Sequence, residues 1–252
     1  MAQPRTRLFL LFGLAASGLL VLGIAAGYAL GARSGTLGGA GGADFGRRVH
    51  EYIVTHPEML IEAADALKAQ GPERALAEIA DKVVQPYPGA VLGNPNGTLT
   101  LVEFSDYACT YCRGSAADVE ALVAANPDLK VVLREWPIIA PTSPEAARWG
   151  LAAAEQGKYA AFHRAMFAAG RTDAPSIQAA ARLAGLDLER ARTVAADPKL
   201  EAELSANAEF ARKLGITGTP SWVVGDQLIV GAVGRAALET ALEKAAVTAR
   251  GK

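Results

Sequence analysis

Cysteine is nearly absent from this chain: 252 residues carry two, Cys109 and Cys112. Histidine is almost as scarce, with His50, His56 and His163 the full set. A protein zinc site needs four donors, or three and a water, and these few residues lack the usual ligand spacing. No metal and no organic cofactor is expected. Charge of one sign is also missing in excess, the net charge being −1. Binding to nucleic acid draws much of its affinity from neutralised phosphates, so no nucleic-acid partner is expected. No block of like charges forms an interaction tail.

What is present is the spacing of the two cysteines, three apart. A disulfide stabilises more as the loop it closes lengthens, so a bridge across two residues gains little and a chemical purpose is left. Thiol–disulfide exchange needs a thiolate. An apolar strand, Thr98–Phe104, leads into the pair, and a helix runs on to about Ala125. The start of a helix offers unpaired N–H groups and a partial positive charge, and both favour a thiolate. Cys109 is therefore the expected nucleophile. Cys112, one turn on, is placed to attack the mixed disulfide and release product. Two buried apolar cysteines are the alternative, but burial alone explains neither the pairing nor the strand before it.

Glu103 is an acid within that strand. Burial would be costly without a task or a partner, and a raised pKa would suit proton transfer with Cys112. Alternation along the strand equally allows an outward position. Thr219-Pro220 stands before another strand, where proline fits a paired ladder badly, and a cis peptide is one resolution. His163 reads as a surface or packing residue of a helix.

Arg5 and Arg7 precede an apolar run from Leu8 to Leu30, long enough to span a bilayer and longer than the core of a cleaved signal peptide. Residues 1–32 are expected to be an uncleaved signal anchor with a cytoplasmic N-terminus. The remainder then lies in the periplasm of a cell that has one, and cleavage near Ala29-Leu30-Gly31 would leave it periplasmic too. Either way the cysteines face an oxidising compartment.

Residues 33–43 form a Gly-rich linker. Residues 44–86 read as short helices, broken at His56-Pro57 and again at Gly71-Pro72. Residues 87–252 read as α/β. Strands at 90–92, 98–104, 129–135, 221–224 and 228–230 flank a helical insertion at about 141–214. Ser143 is expected to cap its first helix, and Pro175 and Pro198 to open later ones.

The run Val102-Glu103-Phe104-Ser105-Asp106-Tyr107-Ala108-Cys109-Thr110-Tyr111-Cys112-Arg113, with Gly218-Thr219-Pro220-Ser221 downstream, resembles the DsbA family of bacterial exported thiol–disulfide oxidoreductases. The resemblance extends from about Val91 to the C-terminus. It implies a thioredoxin-like fold with an inserted helical domain, preceded here by a transmembrane helix and a short helical segment. It implies Cys109 as nucleophile, Cys112 as resolving thiol, Glu103 as buried acid, a cis Pro220, and a Thr219 backbone that pairs with extended substrate. Exported proteins with thiols or disulfides would be the substrates, and a membrane protein the redox partner.

Val49–Glu58 is similar to the N-terminal helices of the copper-sensitivity suppressor branch, which implies a homo-oligomer through residues 44–85. One departure stands out. The strongest oxidases of the family carry Pro-His between the cysteines, and here Thr110-Tyr111 brings no positive charge. A less oxidising centre is expected, readable by titration against glutathione, unless Arg113 turns toward Cys109.

The expected function is extracytoplasmic disulfide formation or isomerisation. Two other readings stay open. One is an envelope protein that holds Cu(I) on the two thiolates, told apart by metal content after reducing purification. The other is an oligomeric scaffold with vestigial thiols, told apart by thiol ionisation.

Overall fold

A computed structural model describes residues 44–250. The expected anchor (1–32) and linker (33–43) lie outside the described residues. Among the described residues no helix is long and apolar enough to cross a membrane. Contacts divide the chain into two compact units, one up to Ala66 and one from Leu67 onward.

The first unit holds helix α1 (44–55) and the start of α2 (Glu58–Val83). His56-Pro57 breaks the helix as expected. Gly71-Pro72 does not, and α2 runs through it. A proline disfavours helical backbone in the residue before it by clashing with that residue's Cβ, and Gly71 has none. Leu76, Ile79 and Val83 of α2 are buried in the second unit, against Val102, Phe104 and Val132.

In the second unit a five-stranded sheet has the order β1-β3-β2-β4-β5. Its strands are β1 (Val91–Gly93), β2 (Leu99–Ser105), β3 (Leu129–Glu135), β4 (Ser221–Val224) and β5 (Gln227–Val230). Only β2 and β3 pair in parallel, joined through α3 (Thr110–Ala125). The near-continuous apolar run of β3 suits a strand covered on both faces. Leu101, Val131, Leu133 and Trp222 face one apolar core with α3, α4 (Ser143–Ala154) and α9 (Arg235–Arg250). The alternate residues Val102, Phe104 and Val132 face the other core, with α2 and the end of α8 (Pro198–Lys213).

The insertion consists of α4, α5 (Tyr159–Ala169), α6 (Ala174–Leu183), α7 (Leu188–Ala195) and α8. Asp173, Asp187 and Asp197 cap α6, α7 and α8, each accepting a backbone N–H two or three residues on; such caps are worth about 1 kcal/mol apiece. Ser143 does not cap α4. It lies inside the helix, and its hydroxyl accepts the Ala140 N–H at 3.1 Å.

Arg134 points to the face opposite Glu103 and is 3% exposed. It donates to the carbonyls of Lys82, Val83 and Gln85, to Glu203 and to Asn207, and it lies over the Phe210 ring. The last carbonyls of a helix have no partner within it, so this one buried cation both ends α2 and joins it to β3 and α8.

Candidate active site

Asp106 builds the loop that carries the cysteines. Its carboxylate accepts the N–H of Ala108 at 2.8 Å on one side and those of Ile138 and Ile139 at 2.7 and 2.8 Å on the other. Its carbonyl accepts the Cys109 N–H at 3.0 Å. Three charge-assisted bonds to backbone therefore tie the end of β2 to the loop after β3. An Asp three residues before the first cysteine, at a strand end, was a signal that sequence reasoning could have used.

Cys109 is the N-cap of α3. Its Sγ accepts the Cys112 N–H at 3.4 Å and donates to the Thr219 carbonyl at 3.2 Å. The Thr219-Pro220 bond is cis, and the Pro220 carbonyl accepts the Gly231 N–H at 2.9 Å. Both cysteines are free thiols and buried, Cys112 completely. Burial pushes the Cys112 pKa up, and the nearby Glu103 carboxylate pushes it further.

Glu103 points inward. It sits between Leu133 on β3 and Trp222 on β4 and is 2% exposed. Burial raises its pKa to about 8, the response of an acid placed where its charged form loses hydration. Cys109, Cys112, Thr219 and Pro220 thus meet at one point, and Glu103 lies beneath them. Tyr111, 70% exposed, and the half-exposed Ile138 and Ile139 are the apolar groups that the same loops present to water.

Arg113 does not turn toward Cys109. Its guanidinium lies against Gly170, where a Cβ would come within 2.5 Å of Nη1. Gly170 caps the C-terminus of α5, the end of a helix that attracts cations.

A family model described as the DSBA-like thioredoxin domain matches residues 100–243, more than half of the chain. The chain belongs to that family. The five-stranded sheet with its helical insertion is in keeping with that membership. Residues 43–71 match a second model, the N-terminal domain of the copper resistance protein ScsC.

Among solved structures, a thioredoxin-like oxidoreductase from Silicibacter pomeroyi is 44% identical, covering 62% of this chain and 90% of that one, with a TM-score of 0.59. ScsC of Proteus mirabilis in a transitional conformation is 26% identical, covering 83% and 97%, with a TM-score of 0.63. The thiol-disulfide exchange protein alpha-DsbA2 of Wolbachia pipientis is 25% identical, covering 71% and 97%, with a TM-score of 0.64. A curated relative, the Na(+)/H(+) antiporter NhaA 3 of Salinispora tropica, is 29% identical over 171 residues. The match spans about a quarter of that antiporter (26%), and transport is not carried over to this DsbA-like chain.

Proposed function

We propose that this protein exchanges disulfides with exported proteins through Cys109, in the periplasm and tethered to the membrane by residues 8–30. The observation that supports it most directly is the placement of the Cys109 sulfur. It stands at the head of α3, 3.2 Å from the carbonyl of Thr219, next to a buried thiol one turn along.

Oxidation of a substrate begins when a substrate thiolate attacks Cys109 in the disulfide form. The bond to Cys112 breaks, its electron pair goes to the Cys112 sulfur, and Glu103 supplies the proton. A second substrate thiolate then releases Cys109. Isomerisation starts from the dithiol form: the Cys109 thiolate attacks a substrate disulfide, one substrate thiolate leaves, and a different substrate thiolate then displaces Cys109, so the pair ends as it began. The Thr219 backbone pairs with an extended substrate segment, while Tyr111, Ile138 and Ile139 offer apolar surface to unfolded chains. Membrane redox proteins would reset the pair.

Capture tests this. Cys112→Ala removes the thiol that resolves the mixed disulfide, so the variant accumulates covalent complexes with exported proteins that dithiothreitol dissolves. Absence of such complexes, with Cys109 alkylatable and the fold intact, would sink the proposal.

We extend it to assembly through residues 44–85. Phe45 and Tyr52, two turns apart on one face of α1, and Leu60 and Ile61 at the start of α2 are each more than half exposed in the chain alone, and exposed apolar surface of this kind supports an interaction site. An oligomer would present several redox sites at once and favours isomerase over oxidase. Light scattering on protein lacking residues 1–32 is expected to give a multiple of the single-chain mass; a monomer would reject this extension.

A further inference from the structure

The exchange chemistry leaves a second buried acid unused. Glu135 ends β3 in register with Ser105 and on the same sheet face as Glu103. It is 2% exposed. Its Oε1 accepts the Tyr159 hydroxyl at 2.6 Å. The Tyr107 hydroxyl lies beside it in space that Gly150 of α4 leaves open. A Cβ at position 150 would stand 3.0 Å from the Tyr107 oxygen and 3.2 Å from Glu135 Oε1. On its other side the Tyr107 hydroxyl is 3.4 Å from His163 Nδ1.

His163, 4% exposed, is the member of this row that borders open space. It lines a groove of about 640 Å³ between α3 and α5, together with Arg113, Glu120, Arg164 and Phe167. At the other end, along the sheet face, the buried Ser105 hydroxyl makes no hydrogen bond of full geometry among the described residues, but lies near enough to Glu103 to ease its ionisation against the larger effect of burial. Protonatable side chains therefore lie in sequence from Glu103, through Ser105 and Glu135 on one sheet face, to Tyr107 and His163 at the groove on the flank of the domain.

We propose that Glu135, Tyr107 and His163 form a proton path that reloads Glu103 from the groove between α3 and α5. The proposal rests on Glu103 as the proton donor to Cys112. When the Cys109–Cys112 bond opens, the proton of Glu103 moves to the Cys112 sulfur and leaves a carboxylate among Leu133 and Trp222. A buried, unpaired charge is expensive. Glu135 cancels it by passing its own proton across the Ser105 position. Water in the groove then returns a proton to Glu135 by way of His163 and Tyr107. A carboxyl, a phenol and a neutral imidazole can each donate and accept. Burial holds the His163 pKa down to about 3, so the ring stays neutral with one nitrogen free to accept.

The other groups that face Glu135 do not replace this route. Asp106, in the loop after β2, is committed to three backbone N–H groups and by its charge raises the proton affinity of Glu135. Tyr159 on α5 donates to Glu135 and orients it. From α8 comes the neutral Asn207, whose amide binds the Glu135 backbone carbonyl at 3.1 Å.

Infrared difference spectroscopy of the full chain, reduced minus oxidised, tests the path by the C=O stretch of protonated carboxyl groups. Glu103→Gln removes one band and identifies the donor. In the wild-type protein that band shifts promptly after transfer to deuterium oxide. In Glu135→Gln, and in His163→Phe, the shift of the Glu103 band is expected to slow by roughly ten-fold or more, the scale of a lost proton-transfer group. Tyr107→Phe deletes only a hydroxyl and gives the same readout if a bulkier change unfolds the protein. Equal exchange rates in wild type, Glu135→Gln and Tyr107→Phe would overturn the path and leave Glu103 as donor. A difference spectrum unchanged by Glu103→Gln would instead overturn the donor assignment.

Discussion

Cys109→Ala is expected to bring insulin reduction by dithiothreitol down to the uncatalysed rate. The expectation follows from position. Cys112 has no exposed surface, and burial keeps it protonated, so it cannot stand in as the attacking sulfur. Alanine also leaves the Cys112 N–H without an acceptor at the helix cap, a cost of about 1 kcal/mol that a folded domain withstands. Cys109→Ser separates the two effects, because a hydroxyl still caps α3 but does not exchange with disulfides. Residual catalysis in either variant would show that Cys109 is not the nucleophile.

Glu103→Gln is expected to stabilise the protein, and by an amount that grows with pH. The unfolded carboxyl titrates near 4.5 and the folded one near 8. Below the lower value both states hold the proton and the substitution is neutral in this respect. Between the two, the folded protein keeps a proton that the unfolded chain has released. Stability then falls as pH rises, with a limiting slope of about 1.4 kcal/mol per unit. Above the upper value the loss is complete. Gln cannot ionise, so it removes this penalty, offset by about 1–3 kcal/mol if its buried amide finds no partner. Urea unfolding at about pH 5 and about pH 8.5 should show the advantage of the variant growing by roughly 2–4 kcal/mol across that window. Parallel pH slopes for the two proteins would mean that Glu103 is not held protonated by the fold. Glu135, raised to about 8 by burial, adds a loss of the same sign that remains in the variant. For that reason the pH slope is reduced rather than abolished.

Much of the domain is legible along the chain because its determinants are local. Hydrophobic runs bounded by turns mark β2 and β3, and β3 at Leu129–Glu135 matches its expected span. Pro175 and Pro198 stand in the first turns of α6 and α8, where a missing N–H costs nothing. The same local logic misplaced two features. Gly71-Pro72 reads as a stop, yet Gly71 relieves the clash that would have made it one. Ser143-Pro144-Glu145 reads as a capped start, yet Ser143 turns its hydroxyl to Ala140.

By itself the sequence determined the reactive pair, its strand-to-helix setting and the alternation of strands with a helical insertion, since each depends on neighbours a few residues apart. The tertiary structure alone decided which polar groups are buried, and next to what. Glu103 could have faced either way until β4 brought Trp222 against it. Cys109 meets the Thr219 carbonyl across 110 positions of chain. Glu135 meets Tyr107 and Tyr159, and Tyr107 meets His163, because α4 and α5 fold back over the end of β3, and Arg113 turns to the C-terminus of α5 rather than to the cysteine beside it in sequence. Desolvation and partner charge act through space and carry no signature in residue order, so the electrostatics of this redox site had to be read from the fold.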